Sequence, residues 1–167
     1  MNDKFKKNCL IINLSDVVKY DFVFSLAKNN CDIVLNGWIS EEKILETIYS
    51  VENLGVKCFH HNACIEDISE LTLLLEDSER LLGQIDLILI INNSIDLKSM
   101  FSVFDRSFNI MNKQKTGILV NLFLSLENRK ELNDYCLQKI EQYPDIRYIE
   151  LDYKDQEMNN TILTDNL

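Results

Sequence analysis

Short, almost continuous apolar runs alternate with longer amphipathic segments along most of the chain. The runs at 85–91 and 118–124 contain few polar residues, which is typical of strands buried on both faces of a sheet. The predicted strands are 8–14, 32–36, 57–61, 85–91, 117–124 and 146–151, and the predicted helices are about 17–30, 40–54, 66–82, 98–113 and 126–142. Because strand and helix alternate, the pattern predicts βαβ crossovers and an α/β fold with a parallel sheet.

The length of 167 residues suits a single domain, which we expect to occupy residues 1–155. No linker, repeat or low-complexity tract divides the chain. Gly55, Gly83 and Gly117 each fall between a predicted helix and the next strand, where glycine commonly ends a helix. The last residues, 156–167, are polar and predict a loose, flexible tail.

Composition excludes several classes of function. The net charge of −10, with no basic stripe, argues against nucleic acid and anionic membranes as partners. No apolar run approaches the roughly 20 residues of a membrane span. The five cysteines form no C-x-x-C pair, which favours reduced thiols in a cytoplasmic protein. His60 and His61 have no further ligands at motif spacing, so no metal is expected.

Several stretches resemble the short-chain dehydrogenase/reductase (SDR) family. Residues 26–35 resemble its first helix-to-strand passage, and residues 82–87 followed by 92–94 resemble the approach to its N-N-A-G motif. Residues 111–121 resemble the entry to its fifth strand. The resemblance implies a doubly wound Rossmann-like sheet in the order 3-2-1-4-5-6, and in active members an NAD(P) cofactor.

The departures from the family pattern fall on the cofactor loop. The motif T-G-x-x-x-G-x-G lies over Ile12, Asn13, Val17 and Lys19, so all three glycines are replaced by residues with side chains. Such side chains occupy space that the backbone needs in order to approach a pyrophosphate. Of the N-N-A-G motif the asparagines remain, as remnants at Asn92 and Asn93. We therefore expect no bound NAD(P).

Tyr135 and Lys139 stand four residues apart on the fifth predicted helix. The spacing resembles the family's catalytic Y-x-x-x-K pair, in which the lysine lowers the tyrosine pKa so that the phenol can pass a proton to a carbonyl oxygen. The resemblance implies a catalytic serine just past the fifth strand, where Ser125 is the nearest candidate. The alternative is a core tyrosine beside a lysine at chance spacing. Since no hydride donor is expected, we interpret Tyr135, Lys139 and Ser125 as vestigial members of such a catalytic group.

The fourth predicted helix is apolar on more than one side. Its aromatic and aliphatic residues include Phe101, Phe104, Phe108 and Ile110. In the resembled family this helix and the next form a four-helix dimer interface, so these residues predict an interaction surface. The other interpretation is a helix buried against the sheet.

Together these observations favour a non-catalytic protein that acts as a binding or scaffolding subunit through its fourth and fifth helices. The expected partner is a second copy or a related active reductase. One alternative is an NAD(P)H-dependent carbonyl reductase that uses Tyr135 and Lys139. A second is a small-molecule sensor that uses the crevice where the strand order switches.

Overall fold

A computed structural model of the chain describes residues 6–15, 20–93, 96–125 and 127–154, together with the single residues 161 and 165. These residues form six strands and five helices in strict alternation. The strands are β1 Lys7–Ser15, β2 Cys31–Trp38, β3 Cys58–His61, β4 Leu87–Asn92, β5 Gly117–Phe123 and β6 Ile146–Asp152. The helices are α1 Asp21–Lys28, α2 Glu41–Glu52, α3 Ile68–Leu82, α4 Leu97–Gln114 and α5 Arg129–Ile140.

All six strands are parallel and lie in the order β3-β2-β1-β4-β5-β6. The predicted α/β class and the predicted strand order are therefore confirmed. Every residue of β4 and β5 is buried, which explains why their sequences are continuous apolar runs. Ile11 lies at the centre of the sheet, opposite Leu35 of β2 and Leu89 of β4.

Helices cover both faces of the sheet. One core cluster joins α1 and α2 to the face that carries Cys9, Ile11 and Leu89. The other joins α3, α4 and α5 to the face that carries Leu10, Ile12 and Ile88. Alternation along each strand divides the apolar side chains between the two clusters. No helix among the described residues is long and apolar enough to cross a membrane.

The helix boundaries follow local chemistry. Asp67 begins α3 by accepting hydrogen bonds from the backbone N–H groups of Ser69 and Glu70, and Asp96 begins α4 in the same way through Ser99. The predicted start of α1 at residue 17 lies outside the described part, and α1 is described from Asp21. The predicted tail, 156–167, also lies outside it apart from the two single residues.

β1 contains a bulge near its carboxyl end. Its register with β2 shifts between Ile11 and Leu14, and Asn13 has a left-handed φ of 66°. Beyond the bulge β1 continues to pair with β2, placing Leu14 opposite Gly37. The two backbones approach so closely there that a Cβ on Gly37 would lie 1.8 Å from the Leu14 carbonyl oxygen. The strand therefore extends into the region where the resembled family has its phosphate-binding turn.

Candidate functional site

The carboxyl ends of β1 and β4 form the candidate site. β1 lies between β2 and β4, and the helices that follow β1 and β4 cover opposite faces of the sheet. In doubly wound folds a ligand crevice opens at this switch of strand order. The side chains at these two strand ends therefore decide what the fold can bind.

Asn13 connects the two strands across this crevice. Its side-chain Nδ2 donates a hydrogen bond of 2.8 Å to the carbonyl oxygen of Ile91, near the end of β4. Its backbone N–H donates to Oδ1 of Asn36 at 3.2 Å. Asparagine is among the few residues other than glycine that tolerate a left-handed backbone. Asn13 thus keeps the left-handed backbone that is typical of glycine, but its side chain is hydrogen-bonded to Ile91 at the place that a glycine would leave open.

Asn36 fixes the neighbouring end of β2. It is fully buried, and its Nδ2 donates to the carbonyl oxygens of His61 and Ala63 at 3.0 Å each. The residue therefore ties β2 both to β1 and to the segment that follows β3. Sequence reasoning missed this role, although a lone asparagine inside the apolar run of β2 is an available signal.

The two asparagines that remain of the N-N-A-G motif stand at the end of β4. Asn93 Nδ2 donates to the hydroxyl of Ser15 at 3.4 Å, which adds a second link between β4 and β1. Asn92 is buried, and its Nδ2 has no hydrogen-bond partner among the described residues. Both predicted remnants therefore lie at the switch point, and Asn93 holds the two strand ends together.

The described part of the cofactor loop does not fit a dinucleotide. The turn needs small residues whose backbone approaches the pyrophosphate, whereas Asn13 spans the crevice and Ser15 continues the strand beside Trp38. The Trp38 side chain, at the end of β2, is 69% exposed. Val17 and Lys19, the other predicted departures, lie outside the described residues.

Tyr135 and Lys139 are brought together, but by a residue of another helix. The Tyr135 hydroxyl donates to Asp105 Oδ1 at 2.5 Å, and Lys139 Nζ lies 2.7 Å from the same oxygen. Asp105 belongs to α4, so the pair belongs to the contact between α4 and α5. Helical spacing placed Tyr135 and Lys139 on one side of α5, but it carried no information about Asp105.

The electrostatics of this cluster oppose the catalytic role. Burial, together with the hydrogen bond and charge of Asp105, raises the pKa of Tyr135 to about 12, although Lys139 acts in the lowering direction. A tyrosine that acts as the general acid of a carbonyl reductase needs a lowered pKa instead. The Phe101 ring packs on Tyr135 at a centroid distance of 4.5 Å. The phenol is therefore bound to a carboxylate beside an aromatic ring.

Ser125 does not join the cluster. It is exposed on the loop after β5 and makes no hydrogen bond to Tyr135 or Lys139 within the described part of the chain. The predicted three-residue catalytic group is thus divided between a loop and a helix–helix contact.

The predicted interface residues are largely part of the core. Phe104 and Phe108 are completely buried by their own chain, and Ile110 is 6% exposed. The assignment of Phe104 and Phe108 to an interaction surface is therefore wrong, because neither has surface left to offer a partner, whereas Ile110 keeps a small exposed edge beside α3. Phe101 is half-buried against Tyr135. Periodicity identified an apolar helix correctly, but it could not distinguish burial by the sheet from burial by a partner.

The two strand histidines have separate surroundings. His60 Nε2 lies 3.4 Å from the Gly37 carbonyl oxygen, and His61 Nε2 lies 3.1 Å from Asp77 Oδ2 on α3. Burial lowers the pKa of His60. In the part of the chain that the structure describes, no group of three or more histidine, cysteine or acidic side chains is placed to hold a metal ion.

No protein-family model and no curated protein matches the sequence. Solved structures do match its fold. An NAD+-bound xylitol dehydrogenase is 18% identical with a TM-score of 0.68, over 90% of this chain and 72% of that one. A hydroxysteroid dehydrogenase from Escherichia coli is 12% identical with a TM-score of 0.66, over 88% and 74%. A short-chain type dehydrogenase/reductase from Mycobacterium marinum is 13% identical with a TM-score of 0.58, over 75% and 60%. The chain therefore has an SDR-like fold, as its resemblance predicted.

Proposed function

We propose that this chain is a non-catalytic protein that uses an SDR-like fold as a binding or scaffolding subunit. The observation that carries the proposal is the hydrogen bond from Asn13 to Ile91 across the switch point. A dinucleotide site requires this crevice to be open at the end of β1. Here the polar groups at that position stabilise the sheet instead.

The cluster around Asp105 supports the same conclusion independently. A tyrosine acid must deliver its proton to a substrate oxygen, so its hydroxyl must face the substrate. The Tyr135 hydroxyl faces Asp105 of α4, and its pKa is raised to about 12. Tyr135, Lys139 and Asp105 thus support a structural connection between two helices.

An NAD(P)-dependent oxidoreductase is the competing function, because the structural neighbours are dehydrogenases and one was solved with NAD+. It would require the Asn13–Ile91 link to open and Tyr135 to leave Asp105. A small-molecule sensor would use the same crevice and meets the same obstacle at Asn13.

Calorimetric titration with NAD+, NADH, NADP+ and NADPH distinguishes these functions. At millimolar nucleotide we expect no saturable heat and no shift in the midpoint of thermal unfolding. Asn13→Gly is the matched variant, because it keeps the left-handed backbone and removes the side chain that crosses the crevice. Saturable binding by the wild type, or carbonyl-dependent NADPH oxidation that is lost in Tyr135→Phe, would overturn the proposal.

For the partner we propose a second copy or a related active reductase, and for the location the cytoplasm. The free cysteines, four of which are buried, support a reducing compartment. Affinity capture from the native host, using Tyr135→Phe as a control that keeps the fold, tests the partner. Recovery of a related reductase or of the chain itself is the expected result.

A further inference from the structure

A groove of about 460 Å³ runs between α3 and α4 on the outer surface of the molecule. Glu76 and Glu79 of α3 form one wall, and Arg106 and Lys113 of α4 form the other. Leu75 and Ile110 contribute apolar surface to the lining. None of the four charged side chains forms an ion pair with another described residue.

The charges of the two helices are sorted by sign. α3 carries four acidic side chains and one basic side chain: Glu70, Glu76, Asp77, Glu79 and Arg80. α4 carries three basic side chains and one acidic side chain: Lys98, Arg106, Lys113 and Asp105. Asp77 pairs with Arg80, and Asp105 with Lys139, so both are engaged outside the groove. The groove walls are therefore purely acidic on one side and purely basic on the other.

This arrangement is self-complementary. α3 and α4 both return between parallel strands, so the two helices run in the same direction. The charged residues on both walls line the same stretch of the groove, about two helical turns long. A two-fold axis parallel to the helices places α3 of one copy against α4 of the other at the same level. In such a pair the acidic wall of each copy would lie against the basic wall of the other.

We propose that the groove between α3 and α4 is the interface of a symmetric dimer of this chain. A uniformly acidic or basic partner would meet one repulsive wall, whereas a second copy meets two attractive ones. A small zwitterion would match the charges as well, but ligand pockets are mostly lined by apolar and aromatic residues, whereas seven of the nine residues that line this groove are polar or charged. The inference rests on the second copy that the proposed function names as a partner and adds the surface that would bind it, whereas the nucleotide titration tests the non-catalytic assignment separately.

Sedimentation velocity at low ionic strength tests the proposal. We expect wild-type dimers at roughly 100 µM, and dissociation as salt rises to about 1 M. Glu76→Lys/Glu79→Lys makes both walls basic, and Arg106→Glu/Lys113→Glu makes both acidic. Each double variant alone should dimerise at least about tenfold more weakly. Mixed together, the two variants should form a heterodimer, because each wall then faces its opposite.

Matched controls separate local pairing from net charge. Glu42→Lys/Glu46→Lys and Lys28→Glu/Lys130→Glu change the net charge equally at exposed positions elsewhere. If a reversed variant loses the wild-type circular dichroism, the milder Glu79→Gln and Lys113→Gln replace it. A wild type that stays monomeric at about 1 mM, reversed variants that still dimerise, controls that dissociate equally, or a mixture that fails to associate would each overturn the proposal.

Discussion

The hydroxyl of Tyr135 donates a 2.5 Å hydrogen bond to the carboxylate of Asp105, one helix away. Lys139 approaches the same carboxylate oxygen at 2.7 Å. The tyrosine and lysine of a catalytic-looking motif are thereby oriented toward a neighbouring helix. The contact supports a structural role for all three side chains and predicts how they titrate.

Replacing Asp105 should lower the pKa of Tyr135. Burial, the largest cause of the raised pKa, remains in Asp105→Asn, but the variant removes a negative charge that disfavours the phenolate, so the pKa of Tyr135 should fall below about 12 without reaching its ordinary value. The measurement is an alkaline titration of tyrosinate absorbance, with Tyr135→Phe in each background to isolate the one residue. An unchanged titration would contradict the assigned partner. Stability should change by less than about 1 kcal/mol, because the pair is partly exposed.

Asn13 should be more sensitive to alanine than to glycine. Asn13→Ala loses the hydrogen bond to Ile91. It also forces an alanine into a left-handed backbone with φ of 66°, so we expect the free energy of unfolding to fall by about 2 kcal/mol. Asn13→Gly loses the same bond but adopts the left-handed backbone freely, and should be about 1 kcal/mol more stable than the alanine variant. Urea unfolding of both variants measures the difference. Equal stabilities would show that the backbone conformation has no energetic role.

Gly37 should tolerate no side chain. Gly37→Ala puts a Cβ at 1.8 Å from the Leu14 carbonyl oxygen, so β1 and β2 must separate locally and stability should fall by more than about 3 kcal/mol. Gly55→Ala is the control, because nothing lies within 4 Å of its Cβ and only the positive φ of 89° opposes it. That variant should lose about 1 kcal/mol. Thermal or urea unfolding of the two variants compares them directly.

Stability should fall in alkaline solution. Burial raises the pKa of Cys58 and of Cys136 from 9.0 to about 12, so both thiols stay protonated in the folded chain while the unfolded chain ionises. Their contribution is complete below pH 9 and is lost as pH rises toward 12. At about pH 10.5 the loss should be of order 1–2 kcal/mol per thiol. Cys58→Ala should flatten the pH dependence, whereas Cys64→Ala, at a half-buried thiol, serves as the comparison.

Most of the fold could be predicted because its physical cause is local in the sequence. The apolar run from Cys9 to Ile12 is too short for a typical buried helix, so it favours a strand, and a strand that is apolar on both faces requires cover on both. Regular alternation with helices then leaves few topologies for a parallel sheet. The strand order itself came from the family resemblance, since periodicity alone does not fix which strands are neighbours.

The site was less predictable because it depends on contacts between distant residues. The loss of glycine at Asn13 was visible, but its bond to Ile91 spans 78 positions of the chain. The spacing of Tyr135 and Lys139 placed both residues on one side of α5. Their contact with Asp105 depends on how α5 packs against α4, which the spacing does not specify. Phe104 and Phe108 were misassigned because core and interface residues share the same apolar chemistry.

The last strand of the described sheet has a consequence for aggregation. Within the described residues β6 pairs with β5 on one side, so its outer edge offers backbone donors and acceptors to any extended chain. Arg147, Glu150 and Asp152 place charges along it, and Arg129 of α5 pairs with the two acidic side chains. Charged residues on an edge oppose the stacking of strands into fibrils. We therefore expect the charged side chains of β6 to disfavour the addition of further strands at this edge.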